Sequence, residues 1–233
     1  MITRYFTLDG ESSAKYGIAM QGPPSFSAPK PKITKVSVSG RSGDLIFAED
    51  AFENIQGILR CFILHGQSYD TIADANIWLA KTGYRKLTFD GDDLAYRLAC
   101  VTNVAECAVR MYYLDPFEIE LDCKPQRYLN SGDVQIMFSA SGTFDCPAYS
   151  GLPLLRIYGT SGTVTINEKT ITLLSISTYV DVDCELQDAY KENVNCNGNI
   201  SCTDFPKLRH GQNNITISSG ITSVVMTPRW FTI

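Results

Sequence analysis

Residues 113–132 (YLDPFEIELDCKPQRYLNSG) constrain the organisation of the chain more than any other stretch. Residues 117–123 read as a strand, and Lys124-Pro125 follows directly. Proline has no backbone N–H and biases the residue before it toward extended geometry, so we expect the strand to end there. Asn130-Ser131-Gly132 is a cluster of turn-forming residues. The stretch therefore predicts the last strand of one domain and a crossover into a second.

This division gives two predicted domains, residues 1–130 and residues 131–233. The chain of 233 residues is long enough for two small domains. A chain of this length buries about three-quarters of its unfolded surface, so it needs no disulfides to fold. Aromatic residues make up 11% of the sequence, and many Val, Ile, Thr and Tyr residues favour β structure.

The net charge of −5 argues against wrapping nucleic acid on an outer surface, which requires a basic footprint. It does not exclude DNA sliding past an acidic wall. No segment has the length of a membrane span and the first residues lack a signal-peptide layout, so we expect no membrane insertion and folding in a reducing cytoplasm.

The cysteines predict buried thiols rather than a metal site. No CxxC pair occurs, and neither His65 nor His210 lies within three residues of a cysteine, so we expect no metal and no cofactor. Free cysteines behave as small hydrophobic residues when buried. The eight are Cys61, Cys100, Cys107, Cys123, Cys146, Cys184, Cys196 and Cys202.

One helix is predicted, over residues of about 70–82. Thr71 and Asp74 have capping-box spacing, and Gly83 stands where a left-handed C-cap is expected. Apolar side chains recur at helical spacing, which predicts a face packed on a sheet. That face contains Ile72, Ala75, Asn76 and Leu79, with Ile77 and Trp78 beside it.

Strands are predicted on both sides of this helix. Residues 32–39 alternate and lead through a glycine-rich turn to an extended run from residue 45. Residues 52–64 read as a long, largely buried strand. After the helix, residues 86–89 and 94–101 form a predicted hairpin, and residues 104–114 a further strand.

The C-terminal part predicts a β-sandwich of about seven short strands separated by turns. Its clearest alternation is in residues 179–186. We expect Val180, Val182, Cys184 and Leu186 to point inward, and Asp181, Asp183 and Glu185 to point to water.

No constellation for catalysis is recognisable. His65 ends an apolar strand and His210 borders a turn, and neither pattern indicates a general base. The pairs Asp92-Asp93 and Asp181/Asp183 are expected in a turn and on a solvent face, where their pKa values would not be pushed apart. We therefore predict no enzymatic activity, no catalytic residues and no cofactor-binding residues.

Exposed aromatic residues leave a sugar-binding interpretation open. Tyr149, Tyr158, Tyr179 and Tyr190 could supply stacking faces for a glycan. Tyrosine is also common in the cores and edges of sandwiches, so each also fits a packing role.

A series of short motifs extends along nearly the whole chain. The N-terminal motifs are Gly40-Arg41-Ser42-Gly43-Asp44, Phe52, Asn54-Ile55, Ile77-Trp78-Leu79, Gly83, residues 87–90, residues 96–99, and Asp115-Pro116-Phe117 through Cys123-Lys124-Pro125. The C-terminal motifs are residues 152–159, Ile166-Asn167, Ile171, Val182-Asp183-Cys184, residues 205–208 and residues 211–215. In order and spacing, these motifs resemble those of the distal tail (Dit) protein of long, flexible-tailed phages.

The resemblance implies a mainly β fold: an N-terminal split β-barrel with one helix, followed by a galectin-like β-sandwich. It implies that six copies close into a ring, single or stacked, at the virion tail tip after assembly in the bacterial host cytoplasm. The implied partners are the tail tube protein, a tail-associated lysin or fibre protein, the tape-measure protein and receptor-binding proteins. DNA would pass through the lumen without specific binding.

The resemblance leaves the ring-interface residues unknown. The chain has no room for an inserted carbohydrate-binding module and lacks the histidine, asparagine, arginine and tryptophan set that binds sugar, so "galectin-like" refers to the fold. The alternative function is a carbohydrate-binding tail protein that contacts the host cell wall. A tail hydrolase is a third class.

Overall fold

The structure, a computed structural model, describes residues 4–104 and 116–233. The chain divides into two compact units, one running to Arg127 and also holding Ile233, and the other spanning Tyr128–Thr232. The predicted strand over residues 104–114 lies, beyond Val104, outside the described residues. The roles assigned to the two predicted domains stay proposals.

The N-terminal unit contains an antiparallel sheet, a separate two-stranded hairpin and the one α-helix of the described residues. Its strands and helix are β1 (Phe6–Leu8), β2 (Glu11–Ser12), β3 (Ile18–Met20), β4 (Ser25–Phe26), β5 (Pro31–Val36), β6 (Leu45–Phe52), β7 (Ile55–Ile63), α1 (Tyr69–Leu79), β8 (Arg85–Phe89), β9 (Ala95–Val104) and β10 (Phe117–Leu129). The sheet runs β2-β1-β8-β9-β10-β7, and β3 and β4 both pair with β7.

The ladder between β7 and β10 forms the centre of this unit. Seven residue pairs face each other, from Phe117↔Cys61 to Cys123↔Ile55. Every second residue of both strands is buried, because successive side chains in a strand point to opposite faces. Gly57 in β7 is required by packing, since a Cβ there would lie 2.8 Å from the Phe26 ring.

Strand β10 does not end at Lys124-Pro125, so the expected end at proline was wrong. The strand continues to Leu129. The register with β7 ends at Cys123, so Pro125 lies beyond that ladder and its missing N–H costs no hydrogen bond to β7.

Helix α1 packs on the sheet through an aromatic stack. The Trp78 ring lies 4.8 Å from the Tyr16 ring and 5.7 Å from the Phe6 ring, centroid to centroid. Ile72, Ala75 and Leu79 are buried with Trp78.

The ends of α1 differ from the predicted caps. Ser68 is the N-cap, and its Oγ accepts from the Thr71 backbone N–H at 3.1 Å. At the other end the buried Arg85 donates to the carbonyl oxygens of Trp78 (2.7 Å) and Leu79 (2.9 Å), which satisfies carbonyls that the helix leaves unpaired. Gly83 lies beyond the C-cap Ala80.

The C-terminal unit contains two six-stranded antiparallel sheets. Its strands are β11 (Ile136–Phe138), β12 (Gly142–Gly151), β13 (Leu154–Gly159), β14 (Gly162–Ile166), β15 (Lys169–Leu173), β16 (Tyr179–Asp183), β17 (Asp188–Lys191), β18 (Val194–Asn195), β19 (Ile200–Cys202), β20 (Leu208–Ile217), β21 (Ile221–Thr227) and β22 (Trp230–Thr232). One sheet runs β19-β15-β14-β20-β12-β22 and the other β11-β21-β13-β16-β17-β18.

The side chains between these two sheets form one core, which includes Leu155, Ile157, Val180 and Val224.

The mainly β fold class, with a split barrel and one helix before a galectin-like sandwich, is confirmed. The sandwich has twelve strands rather than about seven, because strands of two or three residues are too short to show a period.

We expect Leu79→Ala to lower the free energy of unfolding by about 2–5 kcal/mol, because it leaves a cavity under α1. Leu79 is 0% exposed. The matched control is Ile77→Ala on the same helix, where the side chain is 68% exposed and the change should stay within about 0.5 kcal/mol. Urea denaturation measures both, and equal losses would contradict this packing.

Candidate interaction surfaces

The structure does not bring the histidines into a catalytic arrangement. His65 is exposed in the turn that follows β7. His210 is exposed within β20, with its Nδ1 3.0 Å from the Ala148 carbonyl oxygen. Residues 210–214 therefore belong to a strand rather than a turn; this strand has an irregular register against β12. Among the described residues, no group of three His, Cys, Asp or Glu could hold a metal ion.

Asp181 and Asp183 are buried, which corrects the expectation that they point to water. Asp181 accepts two hydrogen bonds from Arg156, at 2.7 and 2.8 Å, and this pairing raises the pKa of Arg156. Asp183 is 2% exposed and accepts two from Arg229, at 2.9 and 3.0 Å. Both carboxylates therefore fix the sheet rather than serve as acid and base.

The predicted alternation over residues 179–186 is wrong beyond Asp183. Strand β16 ends at Asp183, and Cys184 to Leu186 form a turn in which the Asp183 carboxylate accepts from the backbone N–H groups of Glu185 and Leu186. Cys184 is buried, as predicted, whereas Leu186 is 69% exposed rather than inward.

Asp92 lies in the connection between β8 and β9, where it was expected, and it is paired with Arg127 at 2.7 Å.

The prediction of buried thiols holds for Cys61, Cys123, Cys146 and Cys184. Burial raises the pKa of Cys123 to about 12, and it also raises the pKa values of Cys146 and Cys184. Cys100, Cys196 and Cys202 are half-buried and free, and Cys107 lies outside the described residues.

We expect the buried thiols to resist alkylation in the folded protein. In a short iodoacetamide pulse at pH 8, Cys196 should be labelled at least about tenfold faster than Cys123 or Cys184, because the thiolate is the reactive form. Site-resolved mass spectrometry measures the three rates. The same pulse in urea is the control and should remove the difference; a native Cys123 rate matching that of Cys196 would contradict the burial.

The four candidate tyrosines occupy different places. Tyr158 and Tyr179 are cross-strand partners in β13 and β16, with ring centroids 5.7 Å apart. Tyr190, on β17, is opposite Asp181, and burial raises its pKa. Tyr149 is exposed on β12 of the other sheet and contacts the Phe231 ring. Only Tyr158 and Tyr179 come together.

The most exposed apolar element is the hairpin of β5 and β6, which we call the arm (residues 31–52). Within residues 4–104 and 116–233, the two strands pair only with each other, and the core of the N-terminal unit there contains none of their side chains. Ile46 is 62% exposed and Phe47 57% exposed. Ile33 and Val36 are exposed as well.

Both faces of the arm carry apolar side chains. The register places Ile33 and Ile46 on one face and Val36 and Phe47 on the other. An isolated two-stranded sheet is marginally stable in water, and exposed apolar patches mark contact sites. The sequence had shown a strand here, but its alternation did not reveal that apolar side chains on both faces would be exposed.

The two strands of the arm differ in charge. Lys32 and Lys35 are exposed on β5, while Glu49 is exposed on β6 and Glu53 directly follows it. Strand β5 therefore carries basic side chains and strand β6 acidic ones. Two such strands from different copies are electrostatically complementary.

The architecture of the two units, a split barrel with a helix followed by a galectin-like sandwich, is that of phage distal tail proteins. A search of solved structures finds SPP1 Dit (gp 19.1), described as a paradigm of the hub adsorption apparatus in Gram-positive infecting phages. The TM-score is 0.64 at 12% sequence identity, covering 96% of this chain and 97% of that chain.

A chain of the phage P2 baseplate, in its activated conformation with Ca, is also similar. The TM-score is 0.52 at 10% identity, covering 97% of this chain and 98% of that chain. No protein-family profile matches the sequence, and no curated protein matches it. The resemblance to Dit proteins is thus confirmed at the level of the fold. Within the described residues, no helix has the length and apolar character needed to cross a membrane.

Proposed function

We propose that this protein is a structural, non-enzymatic hub of a phage tail tip, joining the tail tube to the adsorption apparatus. The observation that carries the proposal is the likeness to SPP1 Dit over nearly the full length of both chains. A likeness of both units in one order supports a common role more strongly than a shared single domain, since many folds host unrelated functions.

The mechanism is geometric: six copies close head to tail into a ring. Such closure needs a heterologous contact, in which two different surfaces of one copy meet on its neighbours. The arm supplies two different surfaces, the basic strand β5 and the acidic strand β6. Permanent contacts of this kind bury more than about 1,200 Å² and are apolar at their centre, and Ile46 and Phe47 supply apolar area.

The ring would continue the tail tube around a central channel. A net charge of −5 disfavours tight binding of phosphates, so DNA would pass without specific contacts. The proposed partners are the tail tube protein, the tape-measure protein, and a lysin, fibre or receptor-binding protein. The proposed location is the virion tail tip, after assembly in the host cytoplasm.

We expect the double variant Ile46→Asp/Phe47→Ser to lose self-association, because it places a charge and a hydroxyl where a neighbour would bury apolar surface. Light scattering coupled to size exclusion should give six times the 25.8 kDa protomer mass for the natural sequence and one protomer mass for the variant. Its stability should change by less than about 1 kcal/mol, since both side chains are exposed.

The matched control is Leu94→Asp, at a side chain that is exposed in the β8–β9 turn of the same unit. This variant should keep the natural assembly. A natural protein that runs as a monomer at every concentration, or an arm variant that assembles normally, would contradict the proposed contact.

A charge reversal separates head-to-tail pairing from other contacts. Lys32→Glu/Lys35→Glu makes both strands of the arm acidic and should weaken association at low salt. Adding Glu49→Lys and Glu53→Lys to that variant restores opposite charges, with β6 then the basic strand, and should recover part of the assembly. No recovery in sedimentation velocity would count against pairing of β5 with β6 of a neighbour.

A further inference from the structure

The outer face of the sheet that contains β13, β16 and β21 holds a groove of about 640 Å³. This is within the range of small-ligand sites. It lies wholly in the C-terminal unit. Its lining includes Met137, Tyr158, Thr160, Thr178, Thr222 and Ser223.

One end of the groove is formed by a close approach of two turns. Gly159 and Gly220 line it, and a Cβ at Gly220 would overlap the Ser161 carbonyl oxygen. Thr160 donates its backbone N–H to the Gly220 carbonyl oxygen at 3.1 Å. The glycines therefore let the turns meet and fix the shape of this end before any ligand arrives.

The Tyr158 ring lines one wall of the groove, and neighbouring side chains fix its position. The Tyr158 ring packs on Tyr179, and the Tyr179 ring in turn lies 4.7 Å from the Arg156 guanidinium and 4.9 Å from Lys191 Nζ. Arg156 is fixed by its two hydrogen bonds to Asp181. Tyr158 is thus a positioned aromatic surface rather than a freely rotating side chain.

The neighbouring Thr178 is held in an unusual backbone conformation. Its φ is +70°, a region that β-branched residues rarely occupy. Lys191 Nζ donates to the Ser177 carbonyl oxygen and to Thr178 Oγ1, both at 2.8 Å, and so secures this turn. Strained conformations of this kind cluster at binding sites.

The lining defines the class of ligand. None of the nine lining residues carries a charge, and the two nearby cations are engaged, Arg156 by Asp181 and Lys191 by the turn. One aromatic ring, several hydroxyls and a few apolar side chains match a sugar, which has an apolar C–H face and a hydroxyl rim.

We propose that this groove binds a short segment of a neutral oligosaccharide, with the Tyr158 ring against a pyranose face and the hydroxyls of Thr160, Thr222 and Ser223 on its rim. This function goes beyond assembly of a tail-tip ring. It is also independent of the arm, so either proposal can fail without the other.

Saturation-transfer-difference NMR on the full chain tests the site. The probes are hexasaccharides of glucose, galactose, rhamnose and N-acetylglucosamine, with a sulfated hexasaccharide as the anionic comparison. We expect at least one neutral probe to receive saturation on its ring C–H protons. Titration should then show binding at least about tenfold weaker for Tyr158→Ala.

Two further variants serve as controls. One tests whether binding is lost without unfolding of the sandwich, and the other tests whether the probe stacks on any exposed aromatic ring. Thr222 is exposed, so Thr222→Arg should block the groove without unfolding the sandwich and should abolish the signal. Tyr149→Ala removes an exposed ring outside the groove and should leave binding unchanged. The proposal is overturned if no neutral probe gives a signal, if the sulfated probe binds best, or if Thr222→Arg binds as well as the natural sequence.

Discussion

The burial of every second residue along β7, and along β10 as far as Pro125, is the constraint on which the N-terminal unit depends. Seven facing pairs bring Leu59, Cys61, Ile119 and Leu121 to one face, and a shift of one residue would turn all of them to water. Helix α1 covers that core through Trp78 and the stack on Tyr16. The arm follows the same alternation, but its apolar side chains Ile46 and Phe47 are exposed.

The sequence predicted those elements whose signal is local. The hairpin of β8 and β9 and the helix near residues 70–82 follow from periodicity and turn residues. The caps of α1 were missed for two reasons. Ser68 stood at cap spacing before Thr71 and could have been found, whereas Arg85 reaches the helix end only through tertiary packing. Pro125 was misread because the missing N–H matters only where a neighbouring strand needs it.

The candidate surfaces were harder to predict, because they depend on what lies across from a residue. Alternation assigned Asp181 to the outer face of its strand correctly but could not show that Arg156, on the neighbouring strand, would cover it. Tyr158 and Tyr179 were both candidates, yet only the register of β13 and β16 brings them together. The arm likewise has the sequence pattern of an ordinary hairpin. The structure shows that its side chains lie outside the described core of the N-terminal unit.

These features fit a protein that would act through its shape, with a β unit that carries an exposed hairpin and a sandwich that carries a groove. Negative-stain electron microscopy of the purified protein tests the central claim most directly. The account predicts class averages of a six-fold ring around an open channel. Single particles of protomer size at micromolar concentration, or closed two-fold dimers without a channel, would contradict it.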